Sequence, residues 1–235
     1  MAPAGGARAP TPARNGEILS ESPDSPIEKT GVLKLFPTYV WATQLKADVY
    51  EPLNRTILDR LAALRPSNAP GQWQTSQELH TDPALSGLIE IVLGTARGIC
   101  DSLGLVYDDV AVTGCWANVS QRGFPHRPHI HPNNYLSGAY YVRTGPGANA
   151  ICFHDPRMQA TMIVPPARNQ DRVNSDMVTL DVREGMLVMF PAWLQHSVPP
   201  NASDETRVSV AFNVMFPSFG TAMVRPMWRG DSGTD

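Results

Sequence analysis

Two stretches in the first half of the chain repeat apolar side chains at helical spacing. In the first, leucine and isoleucine recur every three or four residues over 53–64, and Pro66 ends the pattern. In the second, Asp82 is placed to cap a helix, Pro83 fits its first turn, and an apolar stripe continues until Gly104. Both stripes predict helices that pack one face against a sheet.

From residue 110 onward the pattern changes to short runs rich in β-branched and aromatic residues, separated by Gly, Pro and Asn. An earlier strand–turn–strand unit is predicted over 32–45. The later runs occupy 110–120, 135–144, 150–155, 160–166, 177–182, 185–191, 196–200 and 206–216. Short strands at this spacing predict a mainly β barrel or two-sheet jelly roll. Because the helices precede the strands, we expect them to buttress one side of a sheet.

The two ends of the chain lack this patterning. Residues 1–29 are dominated by Pro, Ala, Gly, Ser and charged residues, which predicts a disordered tail. Residues 220–235 are weakly patterned and are interpreted as a C-terminal tail. The 235 residues, of which 42% are hydrophobic, therefore predict one folded domain over 30–219.

Charge and cysteine content limit the expected partners and compartment. The net charge is -3 and the pI about 6.1, so the chain lacks the basic excess typical of nucleic-acid binding. No uninterrupted apolar run reaches the roughly 18 residues of a membrane span, and no secretory signal is recognisable. The three widely spaced cysteines argue against a disulfide framework. We expect a cytoplasmic protein without nucleic-acid or membrane partners.

The β-rich half carries histidines in two places. His129 and His131 are separated by one residue, so on a strand both imidazoles point to the same face and can hold one ion. His196 follows a later strand and is the candidate third ligand of a site with open coordination positions. His126 is interpreted as a neighbouring loop residue. The alternative is that these histidines are ordinary buried or surface residues without a metal.

An RVS sequence lies ten residues beyond the candidate third ligand. Arg207 and Ser209 share one face of a predicted strand, and the planar guanidinium suits a carboxylate. An arginine inside an apolar barrel is costly without an anion, so a bound dicarboxylate would fit. The alternative is a structural ion pair with Glu184, Glu205 or Asp155.

Together, HIH at 129–131, His196 and the RVS sequence resemble the 2-oxoglutarate- and iron(II)-dependent oxygenase superfamily. Segments such as HRPHIHPNN, GMLVMFPAWLQHSVPP and RVSVAFN look like a branch of that superfamily related to prolyl hydroxylases. The resemblance spans about residues 32–217. It implies a double-stranded β-helix, the cupin-like form of the jelly roll, with N-terminal helices against it.

The resemblance also implies a site. Iron(II) would be held by His129, His131 and His196, with His131 standing where the family has Asp or Glu, and Asp155 as the alternative source of a carboxylate. Arg207 and Ser209 would bind the distal carboxylate of 2-oxoglutarate. The remaining expected site residues are Tyr141 as a hydrogen-bond donor to that cosubstrate and Trp116, Asn118, Asn213, Trp193, Asp155 and Arg157 around the substrate pocket.

The implied function is oxidation, in the first place hydroxylation, of a C–H bond in a small molecule such as an amino acid or natural-product intermediate. Iron(II), 2-oxoglutarate and O2 would be required, with release of succinate and CO2. Arg122, Arg127 and Arg157 around the expected mouth suggest an anionic substrate. The alternatives are a three-histidine cupin-type dioxygenase that does not use 2-oxoglutarate, a zinc hydrolase, and a non-catalytic β-sandwich binding module. Oligomeric state is open, with a homodimer as one option.

Overall fold

The computed structural model describes Pro26, residues 35–69 and residues 71–218. The predicted C-terminal tail and, apart from Pro26, the predicted N-terminal tail lie outside the described residues, as do the predicted domain limits at 30 and 219. From residue 40 onward the described residues belong to one structural unit.

Two α-helices and ten strands make up the described part of this unit. The helices are α1 (Ala47–Leu64) and α2 (Ser86–Ser102). The strands are β1 (Trp41–Gln44), β2 (Gln72–Gln74), β3 (Ala111–Ser120), β4 (His126–His129), β5 (Leu136–Arg143), β6 (Ala150–His154), β7 (Met177–Asp181), β8 (Met186–Pro191), β9 (His196–Val198) and β10 (Arg207–Met215). Short 3-10 helices occur at Leu79–Thr81, Pro83–Leu85 and Met158–Thr161.

The strands form two antiparallel sheets. The larger has the order β1-β8-β5-β10-β3-β2, and the smaller has the order β4-β9-β6-β7. Strands distant in sequence are neighbours in both sheets, as the jelly roll requires, so the predicted mainly β fold with N-terminal helices is confirmed.

The helices cover the outer face of the larger sheet. The apolar stripe of α2, including Leu88, Val92 and Ile99, is buried in one core with the outward-facing side chains of β10, such as Val210 and Phe212. Each such side chain, once removed from water, contributes about 1.5–3 kcal/mol. The predicted helical stripes are therefore core faces, and they fix the larger sheet on the side away from the smaller one.

The second helix begins later than the sequence predicts. The Asp82 side chain does accept a hydrogen bond, from the backbone N–H of Ala84 at 3.0 Å, but this caps a 3-10 turn that precedes α2. Gly104, with φ of 66°, follows the helix as predicted. The stretch Pro83–Ser102 has a mean hydropathy of 1.3 and, by length and composition alone, could span a membrane. Its most apolar face lies in the core instead.

The strand predicted over 160–166 is wrong. The chain there forms the end of a 3-10 helix and then an exposed irregular segment. Pro165 and Pro166 lack backbone N–H groups and so cannot donate ladder hydrogen bonds to a neighbouring strand. Within the strand–turn–strand unit predicted over 32–45, the second strand is β1, and residues 32–34 of the first lie outside the described residues. The short strands β2 and β4 were not predicted, because three or four residues carry too little alternation to be recognised.

Candidate functional site

A cavity of about 320 Å³ lies between the two sheets. Side chains of β3, β5 and β10 in the larger sheet face side chains of β4, β6 and β9 in the smaller one across it. Ile151, Phe190 and Val198 supply an apolar part of the wall. Among the described residues that line the cavity there is no Asp, Glu or Lys, and Arg207 is the one arginine.

Three histidines converge in this cavity. His129 ends β4 and pairs with His196, the first residue of β9, while His131 follows two residues beyond β4. Their potential ligand atoms all lie within 4.8 Å of one another, and no other such cluster occurs in the described part of the chain. The ring centroids are 4.3 Å apart for His129 and His196 and 5.0 Å apart for His129 and His131. The antiparallel pairing of β4 with β9 thus places the third imidazole beside the first.

Backbone carbonyls fix the tautomer of two of these rings. Nδ1 of His129 lies 2.7 Å from the carbonyl oxygen of Arg127, and Nδ1 of His196 lies 3.0 Å from that of Leu194. A carbonyl oxygen only accepts, so both Nδ1 atoms carry the hydrogen and donate it. Nε2 is therefore the nitrogen left for a metal, and the Nδ1 hydrogen bond of each ring holds its orientation, as is usual for metal ligands.

The protonation state also suits a metal. Burial lowers the pKa of His131 to about 4 and that of His196 to about 3. Neighbouring histidines act in the same direction, so both imidazoles are neutral at pH 7 and no proton has to leave before a cation binds. Three imidazole nitrogen donors fit iron(II) and leave coordination positions for other ligands, although imidazole alone also suits zinc, copper and nickel.

Arg207 lies in the same cavity without an acidic partner. Its side chain is 4% exposed, and its Nη1 and Nη2 donate to the carbonyl oxygens of Pro199 and Phe124 at 3.1 and 3.4 Å. None of the ion pairs between described residues includes it. Burial lowers the pKa of Arg207, but a guanidinium keeps its proton in proteins. A buried cation facing a cavity in this way calls for an anionic ligand.

Two hydroxyl groups lie beside this arginine. Ser209 is two residues further along β10 and pairs with Tyr141 on β5, and both side chains line the cavity. Burial raises the pKa of Tyr141, so its hydroxyl group stays protonated and can donate a hydrogen bond. No partner for either hydroxyl group occurs among the described residues, which leaves both available to a ligand.

Residues 114–213 match the family model described as "Putative 2OG-Fe(II) oxygenase". The chain carries a 2OG-Fe(II) oxygenase domain. It is a 2-oxoglutarate-dependent non-haem iron oxygenase, with iron(II) as its metal and 2-oxoglutarate and O2 as its cosubstrates. The match begins on β3 and ends on β10, so it includes the three histidines and Arg207. No curated sequence matches the chain closely enough to count as a relative.

Solved structures of oxygenases share the fold of this domain. The carbocyclase SnoK from nogalamycin biosynthesis is 13% identical with a TM-score of 0.57, over 83% of this chain and 90% of that one. The epimerase SnoN from the same biosynthesis is 14% identical with a TM-score of 0.55, over 76% and 77%. A Pseudomonas putida prolyl-4-hydroxylase is 17% identical with a TM-score of 0.53, over 76% and 93%. At these identities the likeness concerns the fold alone.

Three of the residues expected around the substrate pocket line the cavity of the oxygenase domain. These are Trp116, Asn118 and Asn213. The indole of Trp116 lies 5.8 Å from the ring of His131, measured between centroids. Oδ1 of Asn213 accepts a hydrogen bond from the hydroxyl group of Ser137 at 2.7 Å.

Three other expected pocket residues do not line this cavity. Trp193, in the turn after β8, is 55% exposed and does not line the cavity. Asp155 accepts hydrogen bonds from Nε and Nη2 of Arg157 at 3.0 and 2.7 Å, so the pair neutralises itself beyond the end of β6. Asp155 is outside the histidine cluster, and Arg122 is likewise paired, with Asp204 at 2.6 Å. The positive mouth expected for an anionic substrate is therefore largely neutralised.

Several lining residues were missed by sequence reasoning. Gln74 and Gln77 come from β2 and the segment after it, which carry no recognisable pattern. His126, interpreted as a loop residue, begins β4, and its Nε2 lies 3.4 Å from Nε2 of Gln72. Burial, then the charges of Arg207 and His129, lower the pKa of His126 to about 4. The spacing HRPHIH was the one available signal for His126.

Proposed function

We propose that His129, His131 and His196 bind iron(II), that Arg207 binds the distal carboxylate of 2-oxoglutarate, and that the enzyme hydroxylates a C–H bond of a small molecule. Succinate and CO2 would be the coproducts. The supporting observation is the placement of a buried arginine without an acidic partner in the same cavity as three convergent imidazoles.

When bound, iron(II) together with 2-oxoglutarate supplies the activation of O2 and the oxidising power for the C–H bond. The chain's part is to hold the groups in place. The Nδ1 hydrogen bonds of His129 and His196 aim their Nε2 atoms at a common point. Because His131 replaces the carboxylate of the family pattern, the ligand set carries one negative charge fewer, which favours binding of an anionic cosubstrate.

The guanidinium of Arg207 is oriented before any ligand binds. Its two hydrogen bonds to backbone carbonyls hold the planar fork in position, so little side-chain entropy is lost when a carboxylate arrives. Ser209 and Tyr141 supply hydroxyl donors beside it. Ile151, Phe190 and Val198 exclude water from the apolar part of the cavity wall, which strengthens each charge-assisted hydrogen bond.

A small-molecule substrate is supported by the size and charge of the cavity. Its volume of about 320 Å³ is at the lower end of the range for ligand pockets, about 300–1,000 Å³. An amino acid or a natural-product intermediate is the substrate class we propose. Hydroxylation is the proposed outcome, although the structural neighbours include a carbocyclase and an epimerase as well as a hydroxylase. The buried, unpaired cysteines suit the cytoplasm, which we propose as the location.

The test is anaerobic reconstitution with iron(II), followed by addition of 2-oxoglutarate and recording of the visible spectrum. A weak charge-transfer band that needs both components is the expected result for the wild type. The band should require far more 2-oxoglutarate in Arg207→Ala, while iron binding is retained. Iron binding without any band would favour the cupin-type dioxygenase, and absence of iron binding would contradict the histidine site.

A further inference from the structure

The register of the larger sheet arranges its cavity-facing residues in rows across the strands. Ser209 on β10 pairs with Asn118 on β3 on one side and with Tyr141 on β5 on the other. The next row, toward the C-terminal end of β10, contains Trp116 and Ala211. Successive rows on one face of a sheet are about 7 Å apart, because they are two positions apart along each strand.

The histidine cluster and the arginine belong to different rows. The indole of Trp116 is the cavity-facing side chain of this sheet that contacts His131, so the metal position lies next to the second row. Arg207 pairs with Ser120 and is one row away in the other direction, beyond Ser209. A 2-oxo dicarboxylate that runs from the metal to Arg207 therefore passes the row that contains Asn118.

The side-chain amide of Asn118 is buried, and only its oxygen has a hydrogen-bond partner among the described residues. Its side chain is 7% exposed, and its Oδ1 accepts a hydrogen bond from Nε2 of Gln74 at 2.6 Å. Nδ2 has no hydrogen-bond partner among the described residues, although the side chain lines the cavity. Because Gln74 occupies the acceptor, the donor half of the amide is the half left for a ligand.

We infer that Asn118 is a binding residue for the distal carboxylate of 2-oxoglutarate, and that Gln74 positions it by holding Oδ1. The sequence had suggested a place in the substrate pocket instead. The inference rests on the proposed function and adds a donor to the site formed by Arg207, Ser209 and Tyr141. It also makes the edge strand β2, which supplies Gln74, part of the cosubstrate site.

The chemistry favours an anion over a substrate group at this position. Three neutral donors, the Asn118 amide and the hydroxyl groups of Ser209 and Tyr141, lie in one row beside the guanidinium of Arg207. No acidic side chain lines the cavity among the described residues, so no carboxylate of the chain competes for these donors. A carboxylate has two oxygens with about four acceptor positions, which is enough for one hydrogen bond each from the arginine and these three donors.

The test compares two ligands that share the chelating end. 2-Oxopentanoate has the chain length of 2-oxoglutarate but ends in a methyl group instead of the distal carboxylate. Binding of each to the iron(II)-loaded, full-length protein is titrated anaerobically through the visible charge-transfer band. In Asn118→Ala, the dissociation constant for 2-oxoglutarate should rise about 10- to 100-fold, the usual range for a hydrogen bond to a charged group. The value for 2-oxopentanoate should change less than about 2-fold, because it has no carboxylate at that position.

Two further variants separate positioning from packing. In Gln74→Glu, the carboxylate can only accept, so the Asn118 amide should turn and present Oδ1 to the ligand. We expect a loss for 2-oxoglutarate similar to that of Asn118→Ala, again with 2-oxopentanoate unaffected. Asn118→Asp keeps the size of the side chain and should weaken 2-oxoglutarate most, by carboxylate repulsion. Gln44→Ala, an amide on β1 outside the cavity, is the matched control and should bind both ligands as the wild type does.

The outcomes are distinct. Equal weakening of both ligands in Asn118→Ala and Gln74→Glu would assign these residues a structural role and overturn the inference, as would unchanged binding of 2-oxoglutarate. If Asn118→Ala does not fold, the nearly isosteric Asn118→Asp and the surface variant Gln74→Glu decide the same question. If the wild type itself gives no 2-oxoglutarate complex, the proposed function fails first, and this inference falls with it.

Discussion

The two faces of β10 carry out different tasks with adjacent residues. Val208, Val210 and Phe212 point to the helices and are almost fully buried in the core between the helices and the larger sheet. Arg207 and Ser209 alternate with them and point into the cavity. One strand thus anchors the fold on one face and presents binding groups on the other, and a shift of register by one residue would exchange the two. Substitutions on the cavity face should therefore alter metal or cosubstrate binding, whereas substitutions on the helix-facing side should lower the free energy of unfolding.

The largest expected effect comes from removing a metal ligand on the cavity face. His196→Ala should lower iron(II) affinity by at least about 100-fold, since even loss of residues that orient metal ligands costs 10- to 100-fold. The two measurements are the iron content of the protein after desalting and the rate of succinate formation. The thermal unfolding temperature without metal should change little or rise, because a buried imidazole has been removed. Full iron occupancy in this variant would contradict the histidine site.

A substitution on the helix-facing side of β10 should lower stability and leave metal binding intact. Phe212→Ala removes a ring that is 1% exposed in the core, which should lower the free energy of unfolding by about 3–5 kcal/mol. Denaturant unfolding measures this. The protein that remains folded should bind one iron per chain as the wild type does. A loss of iron stoichiometry with unchanged stability would reverse the assignment of the two faces.

Arg207→Met sharpens the comparison, because it changes charge while keeping bulk. Affinity for 2-oxoglutarate should fall by about 2–5 kcal/mol, the range for truncating one partner of a buried charge pair. Stability without ligand should be unchanged or higher, since a buried cation without an acidic partner has been replaced by an apolar side chain. Calorimetric titration and thermal unfolding test the two halves. Marked destabilisation of the ligand-free variant would indicate a structural arginine.

A smaller effect is expected from pH on the metal-free protein. Burial lowers the pKa of His131 from 6.5 to about 4 and that of His196 from 6.5 to about 3. Below about pH 6.5 these histidines become protonated in the unfolded chain, whereas in the folded protein they stay neutral down to about pH 4. The folded state therefore loses stability as the pH falls across that window. The unfolding temperature should fall from pH 6.5 to 4, and less steeply in His131→Asn. Identical slopes for both proteins would remove His131 from the explanation.

The smallest effect should come from Arg157→Ala. The Arg157 side chain is 70% exposed, and its ion pair with Asp155 lies outside the cavity. Exposed ion pairs contribute about 0–1 kcal/mol to stability, so unfolding and 2-oxoglutarate affinity should both stay within about 1 kcal/mol of the wild type. A tenfold or larger change in cosubstrate affinity would return Arg157 to the site.

Local spacing allowed part of the site to be predicted from the sequence. His129 and His131 are separated by one residue, and so are Arg207 and Ser209, so strand alternation predicts that each pair shares one face. Arg207 and Ser209 do share a face of β10, whereas His131 enters the cavity from just beyond the end of β4. The helical stripes were recognisable for the same reason. The jelly roll needed the succession of many short strands, and it was predicted although the boundaries of some strands were not.

The remainder depends on contacts between distant segments. The hydrogen bond from Gln74 to Asn118 joins residues 44 positions apart, on strands whose register no local pattern reveals. Trp193 and Asp155 lie close in sequence to His196 and His154 and were expected in the pocket, yet Trp193 is exposed in the turn after β8 and the Asp155 carboxylate pairs with Arg157 beyond β6. Proximity in sequence near a strand end is a poor guide, because the direction of the turn decides which way the side chain points.

The most direct test of the central claim is an anomalous difference map at the iron absorption edge, from crystals grown anaerobically with iron(II) and 2-oxoglutarate. We predict one iron peak between the Nε2 atoms of His129, His131 and His196, with continuous ligand density from the metal to Arg207. A peak elsewhere, a carboxylate such as Asp155 in place of His131, or 2-oxoglutarate away from Arg207 would contradict the account.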